Sequence, residues 1–567
     1  MAAPSITMTR IKQLAEGEHF KGSRRRFLSC SLALLYSSSL LYAPRRIAAG
    51  ENSQARVTFP VVDTTSGKIR GRSHDGLATY LGVPYGAPTG GAGRFLPPGR
   101  PASWKGIRDA LELGSPCPQV NDEVDYWQDP KVPSEDCLVL NVWSAAGRSA
   151  RTDLPVMVWF HGGAYTVESA GGRAYDGFNL AMTGNVVVVS ANHRLNVFGY
   201  TYLGPMVDER FAGSGNVGQL DLISVLEWVR DNIARFGGDP GNVTIFGESG
   251  GGGKVSTTIA IPASRGLFHK AIVQSGSFLR AAEAAGAAEQ TERLYRALNI
   301  HPGNVRALQQ IPTTSLLAAY QSLHQDPLSP KTQPVVDGHV LPGQPWDPRA
   351  PELAGQIPML IGTTREEAAA FAGDRLKEPF SGDTALIDGI DRCAVLSSLS
   401  KQQYGELLPL YRRIMPNLSD AQMVVRIATD AGMWRNALLQ VARKLEAGGP
   451  PVYMYEFAWK TPCFGGSYAL HAIDLPFVFG HQDYPQAWDE DDSAAVRAAA
   501  DLEGERYRLS NLVMKAWAAF ARTGDPSTSD LKWPAYDLSS RTTMVFDRAT
   551  HLECDPRSRI RETILSL

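Results

Sequence analysis

The stretch Val243-Thr244-Ile245-Phe246-Gly247-Glu248-Ser249-Gly250-Gly251 decides how this chain of 567 residues folds. Its first four residues predict a short buried strand, and the small residues after Ser249 predict the start of a helix. Glycines at both second neighbours of Ser249 permit a sharp turn where strand and helix cross, because larger side chains there would collide. The turn exposes the serine hydroxyl beside a helix N-terminus, whose N–H groups attract a developing anion. Ser249 is therefore a candidate nucleophile.

A second glycine-rich turn lies upstream of the serine. Val156-Met157-Val158-Trp159-Phe160 is an apolar run without polar alternation, as in a central strand buried on both faces, and it ends in His161-Gly162-Gly163-Ala164. Where a serine nucleophile occupies a strand-to-helix turn, the turn after this earlier strand supplies further N–H groups to the oxyanion. A glycine turn without a catalytic role is the alternative. The position upstream of the serine favours Gly162 and Gly163 as oxyanion donors.

The groups that would activate the serine follow it in the order acid, then histidine. Residues 358–362 predict another buried strand, which leads into Thr363-Thr364-Arg365-Glu366-Glu367. Residues 452–457 predict a strand before the loop that contains His471. The carboxyl ends of parallel strands share one edge of the sheet, where catalytic groups collect. Chain order by itself leaves open three histidines beyond the acid, namely His471, His481 and His551.

Two long segments resemble the signatures of a known family. Residues 236–251 resemble the active-serine signature of the type B carboxylesterase/lipase family of cholinesterase-like α/β-hydrolases, and residues 134–142 resemble its second signature. The likeness runs from about Val57 to the segment 533–536 and has the character of the bacterial para-nitrobenzyl esterases. It implies an α/β-hydrolase fold, with a mostly parallel central sheet, helices on both faces and inserted helical segments that form a gorge. It also implies a serine hydrolase that cleaves carboxylic esters through an acyl-enzyme intermediate.

The resemblance assigns roles to individual positions. Ser249 matches the nucleophile, and His471, in the pattern His471-Ala472-Ile473-Asp474-Leu475-Pro476, matches the general base. In Arg365-Glu366-Glu367-Ala368 the catalytic acid falls on Glu367, with Ala368 where the family has glycine. The remaining matches are the oxyanion-hole donors Gly162, Gly163 and Gly250, the supporting carboxylate Glu248 and the supporting serine Ser275.

Two positions depart from the family pattern close to these residues. Gly250 replaces a more common alanine, which we expect to keep the N–H donor and to loosen the backbone. Ala472 replaces the glycine that follows the histidine, which we expect to tighten that loop. Neither departure removes a functional group.

Two further matches concern the mouth of the gorge. Trp127 lies ten residues before Cys137, the spacing at which cholinesterases carry a tryptophan that stacks on a quaternary ammonium group. Plain hydrophobic lining is the alternative role for Trp127. Cys117 and Cys137 match the pair that forms a small disulfide loop in the family. The cysteines for which no partner is predicted are Cys393, Cys463 and Cys554.

The N-terminus predicts export. Ser23-Arg24-Arg25-Arg26-Phe27-Leu28 begins a moderately apolar run that extends to Ala43, and Ala48-Ala49 offers a cleavage region of small residues. The pattern resembles a bacterial twin-arginine signal. An uncleaved membrane anchor is the alternative, although the run is short for a membrane span. We therefore predict a signal segment over residues 1–49, a single α/β-hydrolase domain over residues 50–567, and a periplasmic or secreted enzyme with no stable membrane span when mature.

Composition disfavours other classes of function. A net charge of −2 argues against nucleic acid as a partner, and 43% hydrophobic residues is ordinary for a globular protein with a large core. The chain shows no glycine-rich phosphate loop, no zinc-type cysteine and histidine cluster and no internal repeat. We expect a small-molecule ester as substrate and no metal or organic cofactor. Two alternatives stay open: a secreted lipase for longer acyl chains, and a non-catalytic binding ectodomain, which the presence of all three triad candidates disfavours.

Overall fold

The computed structural model describes residues 57–120, 130–145, 153–204, 207–324, 332–372, 399–463, 466–484 and 493–567. Trp127, Cys393 and the predicted signal segment 1–49 lie outside these residues. The expectations for them, including the predicted route of export, therefore stay predictions.

The strands of the described residues are numbered here in chain order. They are β1 (Val61–Thr64), β2 (Gly67–Arg70), β3 (Arg72–His74), β4 (Leu77–Pro84), β5 (Ile107–Asp109), β6 (Val139–Ser144), β7 (Leu154–Phe160), β8 (Val187–Ala191), β9 (Gly238–Glu248), β10 (Lys270–Gln274), β11 (Ala282–Glu283), β12 (Val335–Val336), β13 (Met359–Thr364), β14 (Val452–Phe457), β15 (Thr543–Phe546) and β16 (His551–Glu553).

One mixed sheet of eleven strands dominates the described part of the chain. Its order is β16-β15-β14-β13-β10-β9-β7-β8-β6-β4-β3. The seven strands from β15 to β8 run parallel to one another, and the strands outside them pair antiparallel. Every residue of β7, β8, β10, β13 and β14 is buried, because helices cover a parallel sheet on its faces. The four predicted strands correspond to β7, β9, β13 and β14.

The α-helices of the described residues are likewise numbered in chain order. They are α1 (Phe178–Gly184), α2 (Asn196–Tyr200), α3 (Val217–Asn232), α4 (Gly250–Ala260), α5 (Ala284–Ala297), α6 (Val305–Gln310), α7 (Thr313–Leu323), α8 (Ala369–Ala372), α9 (Lys401–Ile414), α10 (Asp420–Thr429), α11 (Arg435–Ala447), α12 (Leu475–Phe479), α13 (Ser493–Ala500), α14 (Glu505–Thr523) and α15 (Ser558–Leu565).

The helices that pack on the sheet form two groups. Helices α1, α12 and α14 contact one another, and α14 also lies against β7 and β9. Helices α3 and α4 contact each other and β9, while α11 lies against β13 and β14. Helices α5 to α7 follow one another between residues 284 and 323. Within the described residues, we find no helix with the length and apolar character that a membrane crossing requires.

The predicted disulfide between Cys117 and Cys137 is wrong for this structure. Both cysteines are free thiols, and both are buried. A hydrogen bond between the two thiols, together with burial, raises the pKa of Cys137 well above its ordinary value. The Cys117 sulfur also accepts a hydrogen bond from the Leu195 N–H at 3.3 Å. The two side chains therefore pack as neighbouring reduced thiols. Cys463 is buried and free, and Cys554 is exposed and free.

Candidate active site

Ser249 occupies the sharp turn between β9 and α4. β9 ends at Glu248, α4 begins at Gly250, and Ser249 between them has φ 55° and ψ −123°. A non-glycine residue with positive φ is strained, and such strain persists only where surrounding contacts enforce it. Here the Ser249 N–H donates to the Gln274 carbonyl at 2.9 Å, and the Ser249 carbonyl accepts from the Gly253 N–H at 2.9 Å. The turn predicted from the glycine spacing is present.

The glycines around the serine are required by backbone contact. A Cβ on Gly251 would lie 2.0 Å from the Phe160 carbonyl oxygen at the end of β7, and a Cβ on Gly247 would lie 2.5 Å from the Gly251 carbonyl carbon. Neither neighbour is a flexible side-chain end, so a side chain at these positions would push strand and helix apart. The first turn of α4 therefore packs directly on the ends of β7 and β9.

The glycine turn after β7 lies against the same first turn of α4. Gly163 has φ 68°, and a Cβ there would lie 2.4 Å from the Val167 carbonyl oxygen, so both conformation and space require glycine. Among the described residues, no hydrogen bond uses the N–H of Gly163 or Gly250. Burial raises the pKa of Tyr175, and a hydrogen bond from the Gly162 N–H to its hydroxyl opposes this rise. Two backbone donors at one sheet edge, Gly163 and Gly250, are thus available to an external acceptor, whereas the predicted donor Gly162 already has a partner.

The structure gives Gly250 a different role from the looser backbone that the sequence suggested. A Cβ at this position would lie 2.1 Å from the Ala164 carbonyl oxygen and 2.4 Å from the Ala164 Cα. Ala164 itself has φ 52°. The glycine therefore permits the turn after β7 to approach α4 closely, and the space that an alanine would need is already filled by backbone.

The loop after β13 brings Glu367 to His471. Glu367 Oε2 lies 2.5 Å from His471 Nδ1, and Glu367 Oε1 accepts a hydrogen bond from the Thr364 N–H at 2.8 Å. The Glu367 side chain is fully buried. Ala368, where the family pattern has glycine, does not have positive φ, and its N–H donates to the Thr429 hydroxyl at 3.1 Å. An alanine therefore fits this turn without strain.

The neighbouring carboxylate, Glu366, faces the other way. Its Oε2 accepts from the Ala469 N–H at 2.8 Å, its own N–H donates to the Ala469 carbonyl at 2.9 Å, and its Oε1 lies 3.1 Å from Arg426 Nη1. These contacts fasten the loop before His471 to the loop after β13. Of the two adjacent carboxylates, the structure places Glu367 against the imidazole.

The charges around His471 control its protonation. Burial disfavours the imidazolium, but the carboxylates of Glu248 and Glu367 outweigh burial and raise the pKa of His471 to about 9. Burial in turn raises the pKa of Glu248 well above its ordinary value, and the positive charge of His471 opposes that rise, so the two groups favour each other's charged form. Glu248 Oε1 lies 3.3 Å from His471 Nε2, the nitrogen that would face the nucleophile. Among the described residues, no hydrogen bond joins the Ser249 hydroxyl to His471, and catalytic hydrogen bonds are often long before substrate binds.

His471 lies next to an alanine in a left-handed conformation. Ala472 has φ 65°, so the residue that replaces the family glycine has a backbone geometry that glycine adopts more easily. The ring of Phe371, whose side chain is partly exposed, lies 5.2 Å from the His471 ring. The other two candidate histidines have other surroundings: His481 Nε2 lies 2.8 Å from the Asp176 carbonyl, and His551 is exposed at the sheet edge.

Ser275 lies directly after β10, and its hydroxyl makes no hydrogen bond. It is buried, has φ 47°, and its N–H donates to the Gly362 carbonyl at 2.8 Å. The predicted role of this hydroxyl in orienting the acid and the histidine therefore has no contact to support it. The backbone of Ser275 instead joins the ends of β10 and β13.

A buried polar network that sequence reasoning missed lies beneath His471. Asp474 Oδ2 accepts from Gln274 Nε2 at 2.9 Å and from the Tyr455 hydroxyl at 3.0 Å, and Trp517 Nε1 donates to Gln274 Oε1 at 3.1 Å. Burial raises the pKa of Asp474 to about 6. Asp474 is three residues after His471, so its place in the histidine motif was the available signal.

A second missed group is ionic and holds the loop after β13. Burial opposes ionisation of Glu456, but Arg557, Arg365 and Arg426 outweigh it and keep the pKa of this carboxyl well below its ordinary value. Glu456 lies 2.6 Å from Arg365 and 2.5 Å from Arg557. Glu456 is 91 positions from Arg365 and 101 positions from Arg557 in the sequence. No local sequence pattern links residues so far apart, and the ionic group could therefore not be predicted from the sequence.

The described residues contain no set of side chains that could form a metal-binding site. Within them, no group of three or more histidine, cysteine, aspartate or glutamate side chains is placed to hold a metal ion. The polar groups at the site suit nucleophilic attack assisted by a base.

Comparisons with known proteins agree with this arrangement. The sequence pattern of the carboxylesterase family matches residues 58–560. The para-nitrobenzyl esterase of Bacillus subtilis is 36% identical over 517 residues, which is 90% of this chain and 99% of that protein. Carboxylesterase 1E of Rattus norvegicus is 32% identical over 89% of this chain and 92% of that protein.

A solved structure of a thermophilic para-nitrobenzyl esterase has the same fold. It superposes with a TM-score of 0.77 at 34% identity, and the match covers 89% of this chain and 100% of that one. The predicted α/β-hydrolase fold is therefore confirmed. With the family pattern matched over nearly all of the described residues, this chain belongs to the carboxylesterase family and is a carboxylic ester hydrolase.

Proposed function

We propose that this enzyme cleaves carboxylic esters through a triad of Ser249, His471 and Glu367 and a covalent acyl-enzyme intermediate. The observation that carries the proposal is the 2.5 Å contact between Glu367 Oε2 and His471 Nδ1, at the same sheet edge as the strained turn that bears Ser249. A buried carboxylate on Nδ1 fixes the imidazole tautomer that leaves Nε2 free to accept a proton.

Acylation uses these groups in order. The Ser249 oxygen attacks the ester carbonyl carbon while His471 Nε2 takes the hydroxyl proton, and Glu367 stabilises the imidazolium that forms. The carbonyl π electrons move to oxygen, where the N–H groups of Gly163 and Gly250 bind the oxyanion. Removal of one such donor costs about 3 kcal/mol of barrier in comparable sites.

Deacylation repeats the route with water. When the tetrahedral intermediate collapses, the bond to the alcohol oxygen breaks and His471 Nε2 returns its proton to that oxygen. Water then attacks the acyl carbon as His471 removes its proton, a second oxyanion forms in the same place, and the acid leaves with Ser249 restored. Both halves use one base and one set of donors.

The first substrates to try are uncharged esters whose alcohol part carries an aromatic ring, because the Bacillus subtilis relative is named for a para-nitrobenzyl ester. A series of p-nitrophenyl esters of increasing acyl length, assayed with and without an oil–water interface, separates an esterase from a lipase. Activity confined to short soluble esters supports the esterase, and activation by the interface on long acyl chains supports the lipase.

A fluorophosphonate probe tests the nucleophile. We expect the probe to label Ser249, to abolish ester hydrolysis, and to leave Ser249→Ala unlabelled. Ser264→Ala is the matched control, because Ser264 is also a buried serine but lies in the short 3-10 helix Pro262–Ser264 that follows α4. Labelling and hydrolysis that persist in Ser249→Ala would refute the proposal.

A further inference from the structure

Lys254 is a fully buried lysine on α4, five residues after Ser249. It is 0% exposed, and its ammonium donates to two backbone carbonyls, those of His161 at 2.8 Å and Gly162 at 3.1 Å. A buried charge is costly unless it is paired or hydrogen-bonded, so its presence in the first turns of a helix made otherwise of small residues needs a reason. The two acceptors indicate that reason.

These two carbonyls belong to consecutive peptide groups, the second of which carries the candidate oxyanion donor of Gly163. The His161 carbonyl shares its peptide group with the Gly162 N–H, and the Gly162 carbonyl shares its peptide group with the Gly163 N–H. Both peptide bonds are trans, so each N–H points away from the carbonyl of the same group. With Lys254 on the carbonyl side, both N–H groups point to the opposite side.

We infer that Lys254 is a positioning residue for the oxyanion hole, which fixes the two consecutive peptide groups of Gly162 and Gly163 from behind and polarises the Gly163 N–H. The inference rests on the proposed function, in which the Gly163 N–H binds the oxyanion. Lys254 itself does not reach the substrate in this scheme; it acts through the two amides.

Two physical effects follow from this placement. Hydrogen bonds in series polarise one another, by about 10–30% per bond, so an ammonium on each carbonyl strengthens each N–H as a donor. The positive charge also lies behind the position where negative charge develops, in a medium of low dielectric where Coulomb interactions are strong. Both effects grow as the oxyanion forms, and they therefore stabilise the transition state more than the bound ester.

The groups around Lys254 act on its charge in opposite directions. Burial lowers the pKa of Lys254 to about 7, against the attraction of the Glu168 carboxylate. Burial, together with the charge of Lys254, also lowers the pKa of His161 and of His193 well below their ordinary values, so both imidazoles are neutral. The ring of Tyr165 lies 5.6 Å from the ammonium.

Three variants separate a role in the oxyanion hole from a role in folding. Lys254→Met removes charge and donors, and Lys254→Gln keeps an amide donor without the charge. Lys444→Met is the matched control: Lys444 is also buried, donates to two backbone carbonyls at 2.9 Å and 2.8 Å, and lies on α11 away from the site.

We expect Lys254→Met to lower kcat about 10- to 100-fold, less than the roughly 10²–10³-fold loss when an oxyanion donor is removed. KM should stay within about threefold, and Lys254→Gln should fall between wild type and Lys254→Met. The inhibition constant of a trifluoromethyl ketone, whose serine adduct carries the oxyanion, should rise by the same factor as kcat/KM falls. Lys444→Met should keep kcat and the inhibition constant of wild type.

A pH series supplies a second measurement if Lys254→Met does not fold. The ratio of wild-type kcat to that of Lys254→Gln should fall as pH rises through about 7, because only wild type then loses a charge behind the oxyanion. The contribution of His471 cancels in this ratio.

Two results with Lys254→Met would overturn the inference: a kcat within twofold of wild type, or an unchanged inhibition constant despite a lower kcat. An equal loss of kcat in Lys444→Met would also overturn it. So would a ratio of kcat values that stays constant across the pH series. These outcomes are distinct from failure of the proposed function. If Ser249→Ala keeps its activity, the proposed mechanism itself is wrong; if only the lysine variants behave like wild type, the triad stands and the inference about Lys254 fails.

Discussion

The half of the site that contains Ser249 and the half that contains His471 are held by different interactions. In the first half, within residues 161–164 and 247–254, backbone packs on backbone, and glycine leaves room for it. In the second half, Glu367 and His471 lie on two loops, fastened by Glu366, Arg426 and a buried ionic group. The first half tolerates almost no added volume, and the second depends on where charges lie.

This difference explains why the first half of the site leaves a recognisable sequence pattern and the second half does not. A backbone contact that only glycine permits leaves a glycine at a fixed spacing from the serine. A buried ion pair between loops leaves two charged residues about a hundred positions apart, with no local pattern. Variants of the two halves should therefore fail in different ways: added volume should damage the first, and lost charge should damage the second.

The largest effect should come from the paired carboxylates of the second half. Glu367→Gln should lower kcat up to about 10⁴-fold, because His471 then loses the partner that fixes its tautomer. Glu366→Gln should keep most of kcat and lose stability, because Glu366 lies against Arg426 and the Ala469 N–H. The measurement is kcat on one ester beside the melting temperature of each variant. A collapse of kcat in Glu366→Gln with Glu367→Gln near wild type would reverse the assignment.

A smaller effect should come from one added methyl group in the first half. Gly250→Ala should lower kcat about 100-fold, because the new Cβ would lie 2.1 Å from the Ala164 carbonyl oxygen and would push the oxyanion turn away from α4. Gly286→Ala is the control: it lies on α5 with no atom within 4 Å of the added carbon, and there alanine should stabilise the helix by up to about 1 kcal/mol.

Steady-state kinetics on both alanine variants test this. Since alanine is the commoner residue of the family at the first position, an unchanged kcat in Gly250→Ala would show that the turn after β7 relaxes at no cost, and the contrast between the two halves would lose its main support.

The smallest effect should be a shift in pH dependence at the boundary between the halves. His471 acts as a base only when neutral, so activity rises with pH as the imidazolium loses its proton, with a midpoint above 6.5. Glu248→Gln removes a negative charge 3.3 Å from Nε2, which destabilises the imidazolium and should move this midpoint to lower pH by roughly one unit. The profile of kcat/KM against pH measures it, with the exposed Glu283→Gln as control. An unmoved midpoint would mean that Glu248 carries no charge in the working enzyme.

Sequence by itself determined the strands that bear the site, the turn at Ser249 and the glycines that surround it. These features depend on the volume and conformation of neighbouring residues, which a local pattern records directly. The resemblance to a family then named Glu367 over Glu366, and the structure places Glu367 Oε2 beside the imidazole.

Only the tertiary structure decided the rest. It showed that Cys117 and Cys137 are free thiols, that the Ser275 hydroxyl makes no hydrogen bond, and that the space beside Gly250 is filled by Ala164. It also placed the Lys254 ammonium on two carbonyls some ninety residues upstream. Each of these facts depends on distances between segments far apart in the chain, and such distances arise only when the sheet brings the ends of β7, β9, β10 and β13 to one edge.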